Sequence, residues 1–141
     1  MQARDFALSH ARSRMAFGAA LIVAPGPSAR LWIGDDARRP GVKVIARALG
    51  IRDIALGLGI AIALDRGAPV RGWFEAAALS DSVDFVATLL ARGSIPDGGR
   101  RAVAAIAGSA ALTCIALARA LDEPPAPDEM RVPEAALTGH S

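Results

Sequence analysis

Apolar positions along the chain gather into four long stretches, separated by short runs of prolines, glycines and charges, and stretches of this length predict helices. The first helix is expected over about 7–24. It stops before Pro25, because proline lacks an N–H donor and disfavours helical geometry in the residue before it. The second is expected over about 42–64, the third over about 70–91 and the fourth over about 101–121. Between the first two, Ser28 to Gly34 suits a short interfacial helical segment, with Trp32 at the level of lipid headgroups, and Asp35 to Pro40 reads as a polar loop. The connection Asp65 to Pro69 is so short that the second and third helices must be antiparallel neighbours. That register sets Asp53 level with Asp81, and Gly50 level with Asp84. The expected fold class is all-α: a four-helix transmembrane bundle with antiparallel neighbouring helices and an interfacial segment after helix one. From Asp122 the composition turns to proline and acid, so 1–121 is one membrane domain and 122–141 an expected disordered tail.

Charges interrupt two of these stretches. Arg47, Arg52 and Asp53 lie within the second, and Asp81 and Asp84 within the third. A charge at the middle of a membrane span costs roughly 2.5–3.5 kcal/mol on insertion scales, so these groups must face one another or a wet cavity. Helical spacing agrees: Trp73, Ala77, Ser80, Asp81, Asp84 and Thr88 share one arc of the third helix. On the second, Gly50, Asp53 and Gly57 share an arc smooth enough for close backbone approach, and the stripe of the third helix is its expected neighbour. The candidate polar network is therefore Arg47, Arg52, Asp53, Asp81 and Asp84. Two arginines against three aspartates leave one carboxylate without a full partner. Ala105, Ser109 and Thr113 offer a small-residue packing face on the fourth helix, as Gly50 and Gly57 do on the second. Arg12 and Arg14, which precede the charge-free run Met15 to Ala24, are expected to snorkel to the interface. Glu75 is expected near the end of its helix, in reach of water.

Composition narrows the function without naming it. The chain has 141 residues, 52% hydrophobic but only 4% aromatic, with a mean hydropathy of +0.34. A formal charge of +2, scattered rather than striped, argues against nucleic-acid binding. Cys114 is the only cysteine and, lying in an apolar run, is expected to pack as a small hydrophobe. His10 and His140 lie near opposite ends of the chain, so no histidine-based catalytic or metal centre is expected, and no cofactor or metal is assigned. Arg4, Arg12 and Arg14 before a short apolar run imitate a secretory signal. Pro25-Gly26-Pro27 argues against cleavage, and an uncleaved first span is expected. The glycines of Gly50-Ile51-Arg52-Asp53 and Gly57-Leu58-Gly59 lie inside a helix and make no phosphate loop.

The segment Gly18 to Pro25, the run Arg30-Leu31-Trp32-Ile33-Gly34, the motif Arg47-x-x-Gly50-x-Arg52-Asp53 with Gly57, and Asp81-x-x-Asp84 together resemble a family of small four-span bacterial membrane proteins of unknown function. The resemblance covers about residues 16–121 and implies topology rather than chemistry. It implies the bacterial cytoplasmic membrane as location, and the lipid bilayer, further copies of the chain or another membrane protein as partners. The expected function is a non-catalytic helical bundle or accessory subunit with an intramembrane arginine–aspartate network. The alternative is a transport component for protons, ions or a small solute. A membrane-embedded acid–base enzyme on a lipophilic substrate ranks behind both, so the chain leans away from catalysis.

Overall fold

Pro25 and Pro40 divide the N-terminal part of the chain into three pieces, each with a proline in the first turn of the helix that follows. In the computed structural model, which describes residues 3–91 and 93–121, α1 spans Ala3–Val23 and α2 spans Pro25–Ile33. Ala24, at φ −128° and ψ 62°, leaves helical geometry as the residue before a proline tends to. The chain bends there by 107°. The Ser28 hydroxyl donates to the Ala20 carbonyl at 3.0 Å and stitches the corner. Gly34, at φ +66°, ends α2 in a conformation that L side chains rarely adopt. The expected polar loop after it is instead a 3-10 turn, Gly34–Arg38, closed by the Arg39 N–H donating to the Asp36 carbonyl at 3.0 Å.

Three long helices follow: α3, Pro40–Asp65; α4, Arg71–Leu90; and α5, Asp97–Ala120. The fold is all-α, with no strand among the described residues. Helix α1 starts earlier than expected, where the Arg4 guanidinium donates to the Leu64 carbonyl at 2.6 Å and ties its first turn to the end of α3. The turn from α3 to α4 is a Schellman cap. Gly67 sits at φ +61°, the Ala68 N–H donates to the Ala63 carbonyl at 2.9 Å, and the Gly67 N–H donates to Leu64 at 3.3 Å. The tail expected at 122–141 lies outside the described residues.

Packing follows the small residues. The closest helix pairs are α1 with α3 and α4 with α5, while α3 and α4 approach each other mainly through side chains. This corrects the expected partner of the glycine arc: Gly50 and Gly57 face α1. A Cβ on Gly50 would lie 2.6 Å from the Gly18 carbonyl oxygen, and one on Gly57 would lie 2.7 Å from that of Ala11. The physical reason is reciprocity. α1 presents its own small residues, Ala7, Ala11 and Gly18, on one face, whereas α4 sets Phe74, Asp81 and Thr88 around its buried Ala77 and Ala78. The expected packing face of α5 is also corrected. Ala105 and Ser109 are exposed, the Ser109 hydroxyl bonding its own helix at Ile106, and Thr113 is only partly buried. The face turned inward is Ala104, Ala107, Ala111, Cys114, Leu117 and Ala118, one position away from the expected one.

Two apolar clusters result. One joins Ala7, Ala11, Ile60, Phe74, Cys114 and Leu117 with their neighbours at the end of the bundle nearest the α3–α4 turn. The other joins Leu21, Ala29, Ala37 and Ala46 at the opposite end of α1 and α3. Among the described residues large aliphatic side chains are largely outside: twelve of the nineteen buried apolar residues are alanine, while eighteen large hydrophobics, including Phe17, Ile51, Leu79, Val83, Ile106 and Leu112, are exposed. Among the described residues only α5 is by itself long and apolar enough to cross a membrane, and α1 reaches that standard together with its bent continuation through Arg38. Charges on α3 and α4 keep those two helices below it.

The reciprocal small-residue seam makes a stability prediction. Gly50→Ala should lower stability by about 1–3 kcal/mol, since the added methyl overpacks against the α1 backbone. Gly72→Ala, with nothing within 4 Å of its would-be Cβ, should be neutral or mildly stabilising. Thermal unfolding of both variants, followed by circular dichroism in detergent, checks the contrast.

Candidate functional site

A single guanidinium sits between the two apolar clusters. On α1 the buried positions are Ala7, Ala11, Arg14, Gly18 and Leu21, so helical spacing places Arg14 at the middle of the small-residue seam. Its side chain is 7% exposed, and it meets Asp53 from α3 and Asp81 from α4, 5% and 8% exposed. The pairing with Asp81 is bidentate: Nη1 donates to Oδ2 at 2.8 Å, and Nη2 to Oδ1 at 2.6 Å. Asp53 Oδ1 accepts from Nη2 at 2.8 Å and from Nε at 3.2 Å. One side chain thus joins three helices. The expectation that Arg14 snorkels to an interface is corrected, because its helix face is the packed one; Arg12, on the other face, is exposed.

The network continues outward. Arg52 Nη2 approaches Asp53 Oδ1 at 3.5 Å, and Arg52 forks onto Asp84 with Nη1 to Oδ1 at 3.2 Å and Nη2 to Oδ2 at 2.7 Å. Charges alternate along it: Asp81, Arg14, Asp53, Arg52, Asp84. Of the five residues expected to converge, four do. Arg47 does not: it is exposed and makes no ion pair among the described residues. The register of α3 explains this, since Ala46, Gly50 and Asp53 form the buried face and Arg47 falls beside it. Glu75 stays at the surface, paired with Arg71 at 2.6 Å. The sequence carried a signal for Arg14 in the alternating spacing of Ala7, Ala11, Gly18 and Leu21 around it.

Arg14 cannot deprotonate in practice, so its charge must be met by carboxylates wherever water is excluded. Three carboxylates meet two guanidinium groups in this network. It forms the floor of a cavity of about 340 Å³ whose walls are mostly apolar, supplied by Phe17 and Leu21 of α1, Leu31 and Trp32 of α2, and Ile106 and Ala110 of α5. Trp73 is not among them; its indole packs against Gly59 near the α3–α4 turn.

A second juxtaposition was hidden by sequence distance. Cys114 Sγ lies 3.3 Å from His10 Nε2, and the imidazole also packs on Phe74 with ring centroids 6.5 Å apart. A thiol beside an imidazole is the composition of a nucleophile and its base. Here the thiol is fully buried and lies outside the cavity lining, although His10 belongs to it. The pair packs within the buried cluster that also holds Phe74. Among the described residues no three His, Cys, Asp or Glu side chains are grouped to hold a metal ion.

The fold and site together define a helical bundle with its ionic groups at the centre and an amphiphilic cavity above them. No family model, curated protein or solved structure matches the chain.

Two outcomes follow from this geometry. Arg14→Leu should cost about 3–5 kcal/mol, because two buried carboxylates lose their partner, whereas Arg47→Leu should change stability by no more than about 0.5 kcal/mol. Thermal unfolding in detergent compares them. Cys114 should resist maleimide in the folded protein and react fully once sodium dodecyl sulfate unfolds it, which mass spectrometry of the intact chain reads directly.

Proposed function

We propose that the chain is an integral membrane protein, a four-span bundle in which α1, α3, α4 and α5 cross the bilayer and α2 with its 3-10 turn lies at the interface. The observation that carries this reading is the inverted distribution of side chains. Ionic groups and alanines fill the interior, and large aliphatics cover the outside. In water, leaving so much aliphatic surface exposed forfeits roughly 25 cal/mol per Å² of the burial that drives folding. In lipid the same surface is solvated at no such cost, helices associate through small residues, and polar side chains turn inward. Charges disqualify α3 and α4 as spans by hydropathy, yet Asp53 and Asp81 are buried against Arg14 at the centre of the bundle, and Arg52 and Asp84, 29% and 21% exposed, pair with each other beside them.

Within that setting the proposed role is structural and non-catalytic. Arg14, Asp53 and Asp81 come from three helices, and a bidentate fork tolerates neither a slip along an axis nor a rotation about it. The triad therefore fixes register, as buried polar groups are best known to do. A bundle held in one register suits an accessory subunit or an assembly of copies, with the exposed aliphatic belt facing lipid or another membrane protein. The arginine–aspartate motifs, with their resemblance to small four-span bacterial membrane proteins, support the same reading and the bacterial cytoplasmic membrane as its place.

Membrane fractionation tests the proposal. After an alkaline carbonate wash the chain should remain in the membrane pellet and leave it only with detergent. Recovery in the soluble fraction, monomeric and without detergent, would sink the four-span reading.

A further inference from the structure

The scaffold reading accounts for the triad but leaves the cavity unused. Its size, about 340 Å³, falls at the lower end of the roughly 300–1,000 Å³ typical of small-molecule sites. Its walls and its floor differ in kind. Phe17, Leu31, Trp32 and Ile106 give an apolar wall, of which Phe17, Leu31 and Ile106 are exposed. Ser13 and Ser28 also line it, but each donates its hydroxyl to a carbonyl of its own stretch of chain, His10 at 2.8 Å and Ala20 at 3.0 Å, and so adds no free donor.

The floor decides the class of ligand. Asp53, Asp81 and Asp84 oppose Arg14 and Arg52, three formal negative charges against two positive. Both arginines already direct their terminal nitrogens at these aspartates. The carboxylates are not saturated, because each offers about four lone-pair sites and Asp84 accepts only two bonds. An anion would meet like charge here, and an uncharged apolar molecule would leave the excess charge unanswered in a poorly hydrated place. A cation with an apolar body answers both surfaces. The indole of Trp32 and the ring of Phe17 supply apolar wall for the body of such a ligand.

We infer that this cavity is a binding site for an amphiphilic monocation, an ammonium-type head on a small apolar body, with the head toward Asp84 and Asp81 and the body between Phe17, Leu31, Trp32 and Ile106. The inference goes beyond the scaffold reading. It rests on the shape and charge of the cavity and not on the number of spans, so the fractionation result and the binding result fail independently.

Three probes of one shape isolate the charge: benzyltrimethylammonium, its uncharged carbon isostere neopentylbenzene, and the anion benzylsulfonate. Binding to the full chain is measured by equilibrium dialysis in dodecyl maltoside, with protein-free micelles as the baseline. The cation should bind at one site per chain and at least tenfold more tightly than either of the others. Asp84→Asn should weaken the cation at least fivefold and leave neopentylbenzene unchanged. Ala110→Phe, which fills the cavity without touching a charge, should abolish binding of the cation while the unfolding temperature stays within a few degrees. Absence of cation binding overturns the inference, as does equal or tighter binding of the isostere or the anion. Full cation binding by Ala110→Phe also overturns it, whether or not Asp84→Asn folds.

Discussion

The bidentate contact between Arg14 and Asp81, shared with Asp53, is the constraint around which the rest of the bundle is arranged. A guanidinium nearly sealed from solvent has to be neutralised on the spot, and its fork demands that both carboxylates arrive in its plane. To bring Asp53 within reach, α1 and α3 must lie closer than ordinary side chains allow. Gly18, Gly50 and Gly57 make that approach feasible. To bring Asp81 within reach, α4 must face the same point, and α5 then closes the far side through alanines and Cys114. Small residues and the central charge are two halves of one arrangement.

That arrangement inverts the usual order of a water-soluble bundle. Alanines and glycines bury little apolar surface each, so the interior gains less from leaving water than a leucine-rich core would. What holds the helices is close backbone packing and charge-assisted hydrogen bonding, both strongest where water is scarce. The aliphatic side chains that could have made a core are spent on the exterior. The proposed lipid setting would join interior charge and exterior belt, because a medium that solvates the belt also keeps water from the triad.

The same layer shapes whatever the bundle can recognise. Asp53 and Asp81 pair with Arg14 and are nearly sealed, while Arg52 and Asp84, at 29% and 21% side-chain exposure, are more open; all five line the cavity. Burial is graded along one chain of alternating charges, from Arg14, Asp53 and Asp81 at the sealed end to Arg52 and Asp84 at the more open one.

Much of this was written in the sequence. Apolar stretches and prolines determined the helices, and the short Asp65 to Pro69 connection put Asp53 and Asp81 at one depth. The intrusion of charges into apolar runs marked Arg52, Asp53, Asp81 and Asp84. These are local signals, set by helical period, loop length and the cost of burying charge, and they need no knowledge of which helix lies beside which. Tertiary structure alone decided the partners. The five-residue connection pointed to α4 as the neighbour of the glycine arc, but a smooth surface packs best on another smooth surface, and α1 supplied it. That choice drew Arg14 into the centre and left Arg47 outside. It brought His10 to Cys114, turned Ala104 rather than Ala105 inward, and enclosed a cavity that no single helix contains. Each of these depends on the rotation of one helix against another, which small residues permit over a wide range and only the three-way ionic contact makes definite.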